Sequence, residues 1–240
     1  MRQKPIYVEI EMNSHIDTLW RYTQQPELHE QWDLRFSSIT YNEKLPHDEA
    51  QTFTYTTEIM PGISVSGWGV SKGTHEKSNG VRTSSLHFGT EQRLSPIAEG
   101  KGYWQYIPNR KAVTFLTQYD YQVRFGFLGK AFDILFRPLM GWATSLSFDV
   151  LKRWIEDGER PATQYRRFFS FYSICFLFFF IWLYQGLVPK ILYIHPLEIQ
   201  LLMQLTGKTE NIAELAVYGI GAAEIAYAIL WLTPVKKNYY

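Results

Sequence analysis

Cysteine is almost absent: the 240 residues hold one, Cys175. A lone thiol excludes an intrachain disulfide and any cysteine-built zinc cluster, which fits a reducing compartment. A charge excess is missing too. The 24 Lys and Arg face 23 Asp and Glu, for a net charge of +1, so the chain carries no basic footprint and no nucleic-acid partner is expected. Signatures of catalysis are lacking: no P-loop, HExxH, CxxC or GxSxG pattern occurs. The six histidines are scattered, and neither a metal site nor a cofactor is expected. Met1 to Pro5 leads straight into an alternating pattern, without the apolar stretch of about 7–15 residues that marks a secretory signal.

Long apolar runs are absent before residue 168 and dominate after it. Phe168 to Val188 reads FFSFYSICFLFFFIWLYQGLV, 21 residues without a charge. At about 1.5 Å per residue such a helix crosses a hydrocarbon core about 30 Å thick. A second run, Ile212 to Leu232, is interrupted by Glu214 and Glu224. The expected organisation is a soluble domain over 1–160, a basic linker over 161–167 and a membrane domain over 168–240, with spans near 168–188 and 212–232. Arg160, Arg166 and Arg167 precede the first span and Lys236 and Lys237 follow the second, whereas Lys190 and Lys208 lie between. The positive-inside rule then places both termini in the cytoplasm and the protein in the cell's inner (plasma) membrane as a multi-pass protein.

The first 160 residues read as mixed α and β. Ile6 to Glu11 alternates as a strand. Ser14 reads as a helix N-cap with Asp17 completing a capping-box-like pair, and Pro26 opens a second short helix that ends near Trp32. Six further strands follow: 36–43, 52–59, 64–75, 81–90, 97–107 and 112–121. They are rich in Thr, Val, Tyr, Phe and Trp, fitting the 17% aromatic content. Turn signals at Pro46 to Asp48, Pro61-Gly62, Ser78 to Gly80, Ser95-Pro96 and Pro108-Asn109 separate them, so a seven-stranded, mainly antiparallel sheet is expected. Lys130 to Asp157 carries apolar residues at helical spacing, with Pro138 near its start and Gly158 and Pro161 as stop signals.

The order is one strand, two short helices, six strands and one long helix. Ser14 to Trp20, Pro26, Trp32, Tyr119-Asp-Tyr121, Arg124-Phe-Gly126, Phe136 to Leu139, Gly141 to Ala143 and Leu151 to Ile155 stand in that order. Over about residues 5–158 the chain resembles the START-like superfamily, the SRPBCC relatives of polyketide cyclases and dehydrases, in a bacterial subgroup. The resemblance implies an α+β helix-grip fold, a curved sheet around the long helix with an apolar cavity between. The later stretch Trp182 to Lys190, with His195-Pro196-Leu-Glu198 and Gly221 to Glu224, resembles the DoxX-like membrane proteins over about 168–233. Their relatives are typically four-helix proteins, some distantly linked to thiosulfate–quinone chemistry. This chain shows two spans, so a naturally short form, truncation and assembly of two copies all stay open.

Candidate site residues follow. Ala98, Gly100, Gly102, Trp104 and Tyr106 share one strand face, and three tiny residues before two aromatics can leave room. Tyr55, Gly100, Gly102, Trp104, Tyr119 and Tyr121 are therefore the expected cavity wall. A filled core, or glycines serving a bend, reads the same pattern without a ligand. Asp120, Arg124, Asp133 and Arg137 flank the start of the long helix as an ion-pair cluster, with binding of an acidic ligand head the sharper alternative. His87, in a strand, is a lesser candidate. In the membrane part Lys190, His195, Glu198 and Glu224 are the polar residues. Glu224 falls near mid-bilayer, where a carboxylate is neutral, paired or functional.

Three functions compete. The leading one is a membrane-anchored protein whose cytoplasmic domain binds an apolar small molecule or lipid. The second is an enzyme, of cyclase or dehydrase type or a redox-linked membrane protein, which the lack of a clear acid–base pair disfavours. The third is a structural or regulatory membrane subunit. Expected partners are the bilayer, an apolar ligand and a second copy meeting through the membrane helices.

Overall fold

The computed structural model describes residues 4–43 and 50–233, residues 72–74 by backbone alone. Two compact units divide the chain, Met1–Gln164 and Tyr165–Tyr240.

The first unit is a seven-stranded sheet with three helices. The strands are β1 (Ile6–Met12), β2 (Ser38–Tyr41), β3 (Ala50–Met60), β4 (Ile63–Glu76), β5 (Arg82–Gly89), β6 (Ile97–Pro108) and β7 (Val113–Val123). All neighbours pair antiparallel in the order β1-β7-β6-β5-β4-β3-β2. The chain makes one long hairpin ladder from β2 to β7, and β1 closes its far edge against β7 in the register Ile6 to Tyr119 and Met12 to Val113. Alternation fixes which face is buried: Val113, Phe115, Thr117, Tyr119 and Tyr121 of β7 all point inward. The Pro61-Gly62 and Ser78 to Gly80 turns fall where expected, with Gly62 and Gly80 at φ +83° and +78°. The turn expected at Pro46 to Asp48 lies outside the described residues.

Between β1 and β2 lie α1 (Ile16–Gln24) and α2 (Pro26–Trp32); after β7 comes α3 (Gly126–Asp157). Pro26 is the first residue of α2 and Trp32 its last, as expected. Ser14 does not cap α1. His15 holds that position, and the Ser14 hydroxyl instead lies 3.3 Å from the His15 carbonyl. Asp17, free of a capping role, pairs with Arg82 of β5 at 2.7 Å. The long helix begins four residues before the expected Lys130 and runs through Pro138 to Gly158, which ends it at φ +73°. Its second half seals one end of the fold. There Phe148 stacks on Phe115 at 4.5 Å, and Trp32, Tyr106, Met12, Leu19 and Leu151 are wholly buried.

The second unit is helical: the bulk of α4 (Pro161–Leu187), a π-helical turn (Val188–Leu192), α5 (Pro196–Thr206) and α6 (Glu210–Leu232). The stretch expected as a basic linker, 161–167, is the first two turns of α4. The helix α5 was not anticipated, although its punctuation is legible: His195 caps it, Pro196 opens it and Gly207 closes it at φ +65°. Pro161–Leu192 and Glu210–Leu232 are long and apolar enough to cross a bilayer. They meet where side chains vanish. A Cβ on Gly186 would lie 2.6 Å from the Gly221 carbonyl, and one on Gly221 would lie 2.8 Å from the Gly186 carbonyl, so only glycine permits this approach. Phe178 stacks on Trp231 at 4.8 Å and Trp182 meets Tyr227 edge-on at 5.0 Å.

Candidate ligand cavity

The other end of the first unit is not filled. A cavity of about 430 Å³ lies between the sheet and the first half of α3. Phe53, Tyr55, Thr57, Ile59 and Val65 of the β3–β4 hairpin form one wall. Ser84, Leu86, Gly102, Trp104, Thr117 and Tyr119 form the floor across β5, β6 and β7. Phe136, Leu139, Met140 and Ala143 of α3 form the roof. The lining is mostly apolar carbon, the composition expected of a small-molecule site.

Polarity concentrates at one pole, where α2 passes into β2. Asp33, fully buried, accepts from Arg35 Nε at 2.8 Å and Nη2 at 2.6 Å, and lies 3.1 Å from His29 Nε2. The Arg35 guanidinium also rests 5.4 Å from the centroid of Tyr119, and Arg35 and His29 line the cavity. Burial alone would raise the Asp33 carboxyl, but the charge and hydrogen bonds of Arg35, with those of His29, hold it well below the usual carboxylate range. Burial alone would lower the Arg35 guanidinium, and Asp33 more than reverses that, with Tyr119 as a further polar neighbour. The pair is therefore ionised. The fork to Asp33 uses two of the five guanidinium N–H groups. On the β3 wall Tyr55, whose phenol burial pushes up to about 12, donates to the Gly89 carbonyl at 3.4 Å.

Of the residues expected on the wall, Tyr55, Gly102, Trp104 and Tyr119 line the cavity. Gly100 and Tyr121 lie elsewhere. The Phe88 ring covers Gly100, where a Cβ would come within 2.4 Å of it. Tyr121 is buried with Ile6 and Tyr119 and donates to Asp133 Oδ1 at 2.6 Å. The glycines do not make the space: a Cβ on Gly102 would lie 2.5 Å from Tyr119 Cβ and 2.8 Å from the Gln118 carbonyl. They let neighbouring strands and rings close in, and the space comes from the distance between α3 and the β3–β5 end of the sheet. His29, Asp33 and Arg35 were missed in sequence. Their signal is an Asp-x-Arg directly after Trp32, which is visible only once the loop is known to turn inward.

The charge cluster separates into two. Arg137 bridges Asp120 at 2.8 Å and Asp133 at 3.0 Å and donates to the Lys4 carbonyl at 3.1 Å, fixing α3 to the ends of β7 and β1. Arg124 stands apart and donates to the Thr90 carbonyl. His87 pairs with Glu99 at 2.5 Å, outside the cavity lining.

In the second unit the polar residues converge. Lys190, in the π-helical turn, is buried and lies 3.1 Å from Glu224 Oε2 and 3.6 Å from Glu198 Oε1, while donating to the Gln185 carbonyl at 3.3 Å. His195 accepts from the Leu197 amide at 3.3 Å as the cap of α5.

Known proteins place both units. Residues 179–240 match the model of the DoxX-like family. The whole chain is 44% identical over 241 residues to the uncharacterized membrane protein YndG of Bacillus subtilis (strain 168), covering 81% of that protein. The first unit shares its fold with TTHA0849 from Thermus thermophilus, with a TM-score of 0.50 and 12% identity over 65% of this chain and 99% of that one. It is also similar to the di-domain ARO/CYC StfQ from the steffimycin biosynthetic pathway, with a TM-score of 0.48 and 12% identity over 64% of this chain and 51% of that one. The chain belongs to the family of the membrane protein YndG; its first unit has the antiparallel-sheet and long-helix fold of TTHA0849, and residues 179–240 of its second unit match the DoxX-like family model.

Proposed function

We propose that this protein is a membrane-anchored binder of an apolar small molecule or lipid that carries one polar group. The observation that carries the reading is the cavity, about 430 Å³ of largely apolar wall with a buried polar pole at Arg35, Asp33 and His29. The pole already contains its own counter-charge, since Asp33 matches Arg35. A neutral oxygen acceptor, such as a carbonyl or hydroxyl, can take guanidinium N–H groups outside the fork without leaving a net charge buried.

The membrane part holds the domain where apolar ligands partition. In this reading both termini are cytoplasmic. Arg160, Arg166 and Arg167 lie on one side of the first span, and Lys190 of the connection is drawn into ion pairs with Glu198 and Glu224. That leaves Lys208 as the exposed cation of the described connection, which strengthens the charge asymmetry. Most of the surface of both spans is open, which suits lipid and accommodates a second copy.

Mass spectrometry of molecules extracted from the purified full chain tests the reading, with Ala143→Phe as the comparison because it fills the roof. A species that accompanies the wild type and is lost from Ala143→Phe supports the cavity. An identical extract from both, with the fold intact, refutes it.

A further inference from the structure

The first half of α3 is apolar on the wrong side. Phe127 is 83% exposed, Leu128 74%, Ile134 68% and Leu135 77%, with Phe125 and Phe132 more than half exposed beside them. Between Phe125 and Leu139 the charged residues are Lys130, Asp133 and Arg137; Asp133 is buried and Arg137 is held against it and Asp120, so Lys130 is the exposed charge. The second half of the same helix behaves as a soluble helix should. It buries Phe148, Val150 and Leu151 and presents Asp149, Lys152, Arg153 and Glu156 toward its polar side. A helix segment that is apolar all round belongs in a core or against lipid. The turn that aims it is fixed. Phe125 sits at φ +64°, rare for a bulky residue, and a Cβ on Gly129 would fall 1.6 Å from the Arg124 carbonyl.

A second element joins it. The tip of the β3–β4 hairpin exposes Ile59 (55%), Met60 (55%) and Ile63 around the Pro61-Gly62 turn. Ile59 and Leu139 line the same cavity while each is more than half exposed, so the apolar surface runs on from the cavity mouth.

We infer that the first half of α3 and the β3–β4 tip form a surface that docks on the lipid bilayer, partitioning into its interfacial layer. Lipid fits better than a protein partner on two grounds. The chain is itself anchored in a bilayer, so that surface is always present at high effective concentration. The exposed charge in the α3 patch is positive, the sign that anionic lipid attracts. A Lys amid Phe and Leu on a helix is the composition of an interfacial segment. The docking stands on these exposed side chains. Its consequence, that ligand passes between bilayer and cavity without crossing water, rests on the cavity reading above.

The test uses the full chain in vesicles of phosphatidylcholine and phosphatidylglycerol. In a Cys175→Ser background, a fluorophore is attached at Leu128→Cys, at Leu135→Cys or, as control, at Lys77→Cys in the β4–β5 turn at the far end of β4. Lipids brominated on the acyl chains are the quencher. Quenching at 128 and 135 is expected at least about twofold above that at 77 for side chains seated in the interface. Adding Leu128→Glu should reduce the quenching at 135. Equal quenching at all three sites overturns the proposal. So does protection of 128 and 135 from iodide without lipid quenching, which would mark a protein interface. Because no ligand is involved, failure here is distinct from failure of the cavity reading.

Discussion

Asp33→Asn is the most direct probe of the cavity's polar pole. The substitution keeps the shape and removes the charge. It strands the Arg35 guanidinium, whose side chain is 13% exposed, without the carboxylate that binds it at 2.8 and 2.6 Å. Breaking one partner of a buried pair costs about 3–5 kcal/mol, because the remaining ion stays desolvated. At about 2–4 °C per kcal/mol for a domain of this size, the melting temperature should fall by about 6–20 °C. Far-UV circular dichroism in the β region reads this domain selectively, since all seven strands precede residue 124. Replacing both partners, Asp33→Leu with Arg35→Met, should recover most of the loss, because no ion is then left alone. The effect also has a pH signature. The Asp33 carboxyl is depressed in the folded state, so its stabilisation is complete above the unfolded carboxylate range near about pH 4 and is lost as pH falls through the folded value. The gap between wild type and Asp33→Asn should therefore narrow as the pH drops from about 5 toward 2. A melt of Asp33→Asn within about 2 °C of wild type at neutral pH, or a gap that widens on acidification, would refute the reasoning.

Gly102→Leu should disrupt the β6–β7 ladder rather than simply fill the cavity, lowering the β-sheet melt, whereas Ala143→Phe should fill the cavity and displace its ligand with the melt little changed; the reverse pattern would mean that Gly102 opens the space. Glu224→Leu should loosen the α4–α6 pair by taking from Lys190 the nearer of its two carboxylates, and Lys190→Met with Glu224→Leu should restore it, as read by protease resistance in detergent. Equal resistance of all three would remove the pair from any structural role. Reporter fusions at the C-terminus should be active on the cytoplasmic face, and activity only outside would overturn the two-span topology.

The sequence alone determined the layout, because its signals are local. Alternation of Thr, Val and aromatics with turn residues at Pro61-Gly62 and Ser78 to Gly80 marked the strands. Spacing marked α3, and apolar runs marked the two spans. Element ends were less legible where a competing contact decides them: Asp17 is taken by Arg82, so no capping box forms at Ser14. Only the tertiary structure decided where empty space lies. Gly100 and Gly102 look like room in a one-dimensional reading, yet Phe88 and Tyr119 approach from other strands and occupy it. The polar pole depends on residues two and four apart at a bend, where no periodicity forecasts an inward turn. The pairing of Lys190 with Glu224 joins positions 34 residues apart, and the unburied face of α3 appears only after the sheet has covered the rest. Local pattern is written along the chain, whereas cavities, ion pairs and exposed faces depend on which distant residues fail or manage to meet.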